Sequence, residues 1–98
     1  MDVSNPIRIN EVQFHVAPKK HRVQGLSGWA SFTLDGRLQL TSVAVRRTLD
    51  GRVTLSFPAR TDRAGKQLFY FRPLDNGTRK EIERQVFQAL RFEEAVPR

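Results

Sequence analysis

The sequence predicts an α+β domain, an antiparallel meander of about five strands followed by one amphipathic C-terminal helix. Three observations carry that expectation. Apolar and polar residues alternate over most of residues 7–72, two Asp-Gly pairs punctuate the alternation, and the apolar period lengthens after Pro73.

The first strand follows Pro6 and runs from Ile7 to Val16. Its phase slips, with Ile7 and Ile9 on one face and Val12, Phe14 and Val16 on the other, so a bulge or twist is expected near Asn10. Residues 17–27 form a polar, basic connection holding Pro18, Lys19, Lys20, His21, Arg22 and Gly25. Its length is near the upper limit of an ordinary loop, which predicts mobility.

Gly28–Leu34 reads as the second strand, with Ala30, Phe32 and Leu34 on one side and Trp29, Ser31 and Thr33 on the other. Asp35-Gly36 suits a two-residue type I′ turn, whose central residues both need positive φ. The chain returns from Arg37 to Thr48 with another phase slip, between Leu38/Leu40 and Val43/Val45. Asp50-Gly51 predicts a second turn of the same kind. Val53, Leu55 and Phe57 share a face of the fourth strand, which Pro58 closes. A longer hairpin loop at 61–66 leads to a last strand, Gln67–Arg72, ended by Pro73. The repeated Leu-Asp-Gly-Arg at 34–37 and 49–52 is hairpin chemistry, since two copies of a turn do not make a solenoid.

Beyond Pro73 the stretch Asp75-Asn76-Gly77-Thr78 offers several N-caps, and Thr78 with Glu81 has capping-box spacing. Ile82, Val86, Ala89 and Leu90 form the apolar stripe of a helix that should end near Arg91, leaving 92–98 as a tail. The whole chain, 1–98, is thus read as one domain with its core at about 7–91. A helix about 24 Å long and 10 Å wide covers two or three strands spaced about 4.8 Å apart. Trp29 and Tyr70 then stay partly bare, which favours a homodimer through sheet packing.

Composition narrows the function. The formal net charge is +7 on 98 residues, the pI is about 11.1, and hydrophobic residues make up 39%. That balance excludes a disordered polar chain and implies a polyanionic partner, nucleic acid before an anionic membrane. There is no cysteine, hence no disulfide framework, thiolate metal site or cysteine nucleophile. Neither a signal peptide nor a membrane span is read in the chain, so a cytoplasmic protein is expected. His15 and His21 lack further ligands, the serines lack a nucleophile elbow, and no glycine-rich phosphate loop opens the helix. The expectation is a protein that is not an enzyme, with no cofactor, metal or small-molecule substrate.

The cations are better placed. Arg60, Arg63 and Lys66 crowd one hairpin loop, Arg72 follows the last strand, and Arg79 and Lys80 sit in the first helical turn. Positive charge there opposes the helix dipole, which points to an anionic partner nearby. Lys80, Arg84 and Arg91 fall together on the helix face opposite Ile82. The predicted nucleic-acid-binding set is therefore Arg60, Arg63, Lys66, Arg72, Arg79, Lys80 and Arg84. Trp29 and Tyr70 are able to stack on bases, although such residues more often make core or dimer contacts.

Four segments resemble the SpoVG (stage V sporulation protein G, septation protein) family. They are Trp29-Ala-Ser-Phe-Thr-Leu34, Thr41-Ser-Val-Ala-Val45, Leu55-Ser-Phe-Pro-Ala-Arg60 and Arg72-Pro-Leu-Asp-Asn-Gly-Thr-Arg-Lys-Glu-Ile82. The family patterns run roughly Y-A-S-I-T, H-D-I-K-V, A-M-P-S-R/K and H-P-I-N-S-x-T-R-E-K-I, in this order and at nearly this spacing. The likeness covers about residues 7–91 and is most specific at Pro58-Ala-Arg60 and from Pro73 to Ile82. It departs from the family where Thr41-Ser42 replaces His-Asp, where Arg72 replaces His, and in the longer, more basic 17–27 connection.

The resemblance implies a β-sheet domain with a C-terminal helix, a homodimer made partly by exchanged strands, and binding to DNA and RNA. It also implies roles in sporulation, septation and gene regulation, and sets Arg60, Thr78 and Arg79 on matched family positions. A dimeric regulatory nucleic-acid binder is the leading expectation. The alternative is an interaction factor of the division apparatus that docks an acidic protein on its basic face.

Overall fold

The computed structural model describes residues 7–91 and has the expected α+β class. Its elements are β1 (Ile9–Val16), α1 (Lys19–Arg22), β2 (Leu26–Leu34), β3 (Leu38–Arg47), β4 (Val53–Ser56), β5 (Ala59–Thr61), β6 (Gln67–Phe69) and α2 (Asn76–Leu90). The tail read at 92–98 lies outside the described residues.

One meander of five strands is not what forms. β1 to β4 make a four-stranded antiparallel sheet in sequence order, and β5 and β6 pair separately as a two-stranded sheet. The last strand is shorter than Gln67–Arg72, and β5 lies in the Pro58–Thr61 stretch that the sequence reading gave to a strand end and loop. Proline has no N–H for a sheet ladder, and the chain leaves the main sheet there. The Pro58 carbonyl instead accepts from the Tyr70 N–H at 3.0 Å, closing the separate hairpin.

Both phase slips are β-bulges. On β1, Glu11 and Val12 lie between Asn10, opposite Thr33, and Gln13, opposite Ser31, with Glu11 at φ 53°. On β3, Thr41 and Ser42 intervene between Leu40, opposite Phe32, and Val43, opposite Ala30, with Ser42 at φ 62°. The extra residues return Val12, Phe14, Val43 and Val45 to the face that carries Phe32.

The two turns differ from each other. Asp35 and Gly36 both take positive φ, 54° and 67°, as a type I′ turn requires. At the second, Gly51 alone does, at 88°. Thr48 pairs with Arg52 around a three-residue loop, and Asp50 accepts a hydrogen bond from the Thr48 hydroxyl instead of entering the left-handed region. Residues 17–27 also carry more structure than a mobile loop implies, because α1 closes on Pro18 and Ala17 is buried.

The N-cap of α2 is Asp75, whose carboxylate accepts from the Thr78 N–H at 2.7 Å. The Thr78–Glu81 capping box does not form, since Glu81 pairs with Arg84 and Gln85. Arg91 ends the helix at φ 59°. Ile82, Val86 and Phe87 are buried whereas Ala89 is exposed, so the apolar stripe is rotated towards Phe87 from its predicted position.

All four strands of the main sheet contribute to one core with α2, through Ile9, Phe32, Val43, Val45 and Leu55 among others. The helix reaches farther than two or three strands. Gln85 accepts from the Ile9 N–H and donates to the Ile7 carbonyl at the β1 edge. Glu83 accepts from the Leu55 N–H at the β4 edge, where Arg79 donates to the Leu55 carbonyl. Positions 83 and 85 point to nearly opposite sides of a helix, about 200° apart. Both sheet edges therefore flank α2, and the sheet wraps it.

Candidate nucleic-acid interface

The β5–β6 hairpin displays the densest group of cations. Its loop is closed by the Asp62 N–H donating to the Lys66 carbonyl and the Gly65 N–H to the Asp62 carbonyl. The Asp62 carboxylate accepts from the Ala64 and Lys66 N–H groups at 2.9 and 2.8 Å. The one acid of this hairpin is thus consumed by its own turn. Arg60, opposite Leu68 in the ladder, Arg63 in the loop and Lys66 at its end are exposed and ion-paired to nothing among the described residues.

Arg72 stands just beyond, its guanidinium 5.6 Å from the centre of the Phe69 ring. A shallow groove walled by Leu55, Phe57 and Phe69 brings it beside Arg79. Arg79 is half-buried and held on two sides. Its Nε lies 3.5 Å from Glu83 and its Nη2 donates to the Leu55 carbonyl at 3.3 Å, so it is bound to the sheet edge.

Farther along the helix, Lys80 is exposed and unpaired among the described residues. Arg84 is engaged by Glu81, at 2.6 and 3.1 Å, and by Gln88. The hydrogen bonds that Arg84 and Gln85 donate to it hold the Glu81 carboxyl down at about 2. The Thr78 N–H likewise holds Asp75 below the ordinary carboxylate range. Arg91 is the left-handed C-cap and so lies past the helical turns that carry Lys80 and Arg84.

Structure therefore divides the predicted set. Arg60, Arg63, Lys66 and Lys80 present free charge, Arg72 is stacked on Phe69, and Arg79 and Arg84 are neutralised by neighbours. Asp50, Asp62 and Asp75 all serve turns or caps: the Thr48 hydroxyl holds Asp50 below its usual value, as the backbone does Asp75. The cations left out of the set include Lys19, Lys20, Arg22 and Arg46, exposed and unpaired among the described residues. Their signal in the sequence was the Lys-Lys-His-Arg run, which folds into α1 and packs against β2.

No family model and no curated protein matches this chain. Among the described residues no helix is long and apolar enough to cross a membrane. No three His, Asp or Glu side chains among them are grouped to hold a metal ion.

Proposed function

We propose that this chain is a cytoplasmic, dimeric nucleic-acid-binding protein with a regulatory role, in the manner its SpoVG resemblance implies. The observation that carries the reading is the β5–β6 hairpin, where Arg60, Arg63 and Lys66 are unpaired and the only local carboxylate is committed to the loop backbone. A purely structural hairpin gains nothing from three uncompensated cations, whereas a phosphate backbone repays them through counterion release. Lys80, Arg72 and the acid-free first turn of α2 extend the same charge. The SpoVG resemblance ties that binding to septation, sporulation or gene regulation.

The dimer is supported by what the monomer leaves exposed. An apolar groove of about 490 Å³ is lined by Leu34, Leu38, Leu40, Phe57, Phe71 and Leu74 among others. Leu38 is 61% exposed and Leu74 85%, and the hairpin beside them contacts chiefly itself. Isolated two-stranded hairpins are marginal in water, so a second protomer is the natural support for this one.

Neutralising about five phosphates gives a slope of about −4 in log K against log salt. Fluorescence anisotropy of labelled DNA and RNA across a salt series checks this. Replacing Arg60, Arg63 and Lys66 together by Glu should abolish binding at moderate salt while the circular dichroism spectrum is kept. Salt-independent binding, or a triple variant that binds normally, would sink the reading. Capture of an acidic protein without nucleic acid would favour the division-apparatus alternative.

A further inference from the structure

Trp29 is not used by the core or by the basic hairpin. Strand register sets His15, Trp29, Ala44 and Ser56 in one row across the outer face of the four-stranded sheet, away from α2. Leu26, Arg46 and Thr54 make the next row, and Gln13 and Ser31 the row on the other side. Trp29 is half-buried and is not among the side chains packed on the core.

An indole on a solvated face keeps apolar area in water unless neighbours cover it. Of its neighbours Ala44, Ser31 and Ser56 are short, while His15, directly opposite on β1, is a longer side chain that is itself exposed, and Trp29 stays half-buried. Arg46 is on the diagonal from Trp29, about 7–8 Å away along the ladder. Packing of α1 against β2 adds Lys19, Lys20 and Arg22 beside the same sheet. None of these four cations is ion-paired among the described residues, and no carboxylate occupies any of the register positions just named.

We propose that this face is a stacking platform for the unpaired bases of a single-stranded nucleic acid, with Trp29 under a base and Arg46 and the α1 cations on the phosphates. The proposal rests on the nucleic-acid reading above and adds to it the strandedness of the ligand and a second contact surface. A duplex keeps its base faces inside the stack, so only a single strand offers one to Trp29. An acidic protein would use the cations but has no need of a half-buried indole beside them.

Trp29 is the single tryptophan of the chain, so its emission reports this position alone. The probe is labelled oligothymidylate of about 12 nucleotides, within the usual site sizes of ~4–16. Its binding, followed by anisotropy, should quench Trp29 emission, and a duplex of equal length should not. Trp29→Ala should weaken oligothymidylate binding about tenfold, leave duplex binding within about twofold, and be largely restored by Trp29→Phe. Arg46→Glu keeps the indole and lies on the exposed face, and should weaken single-strand binding severalfold even if Trp29→Ala fails to fold.

Oligothymidylate that binds without quenching, or an Arg46→Glu variant that binds normally, overturns the platform and leaves the nucleic-acid reading standing. Equal quenching by polyglutamate also overturns it, because charge without bases would then suffice. Absence of binding by any strand removes both proposals.

Discussion

A methyl group placed on Gly28 would lie 2.2 Å from the His15 carbonyl oxygen and 2.6 Å from the Phe14 ring. Gly28 pairs with Val16 on one side and Val45 on the other, in the middle of the sheet, so neither neighbouring strand yields easily. Gly28→Ala should destabilise the fold by about 1–3 kcal/mol, the usual cost of overpacking. Gly36 makes a useful contrast, since nothing lies within 4 Å of its missing Cβ and only its φ of 67° resists a side chain. Urea denaturation of Gly28→Ala checks the estimate, and a midpoint equal to wild type would refute the close approach. The two glycines were unequally legible. Asp35-Gly36 announces its turn through residue type, because the demand is local. Nothing around Gly28 in the sequence announces the Phe14 ring, which reaches it only after the bulge at Glu11 resets the phase of β1.

Among elements, α2 explains why the exposed edges of a four-stranded sheet are not left ragged. Its side chains take the place of a missing strand, Gln85 at Ile7 and Ile9, and Glu83 with Arg79 at Leu55. Glu83→Ala should leave the part-buried Leu55 N–H without its acceptor and cost about 1–3 kcal/mol. Hydrogen exchange gives the sharper test. The Leu55 amide should lose protection in Glu83→Ala and the Ile9 amide in Gln85→Leu, each without the other. Loss of both amides in either variant would mean that the helix simply detaches. The helix itself and both bulges could be read from apolar period and phase, which are properties of short windows. The edge contacts could not, because they join residues 24 to 78 positions apart and depend on how far the sheet curls. The β5 strand was missed for a related reason. Three residues behind a proline carry no periodicity, and their pairing is decided by where Pro58 sends the chain.

At the scale of the whole molecule, the free cations of the hairpin and the apolar groove belong to neighbouring parts of the surface, with Arg72 and Phe71 bordering both. Binding and assembly are then coupled in the proposed dimer, because joining two grooves doubles the cations offered to one nucleic acid. Leu74, 85% exposed and on the groove wall, separates these effects. In a monomer Leu74→Asp changes only a solvated side chain, and stability should move by less than about 0.5 kcal/mol. In a dimer the same change buries a carboxylate in an apolar contact, and a standard interface of about 1,600 Å² does not tolerate an unpaired charge at its core. Sedimentation equilibrium at micromolar concentration should find wild type at twice the chain mass and Leu74→Asp at the chain mass. The variant's salt slope should fall towards half of the wild-type value, since each particle then carries one set of hairpin cations instead of two. A wild-type chain that stays monomeric at every concentration would remove the dimer. A monomeric Leu74→Asp that kept the full slope would show that one protomer supplies all the phosphate contacts, and binding and assembly would be independent.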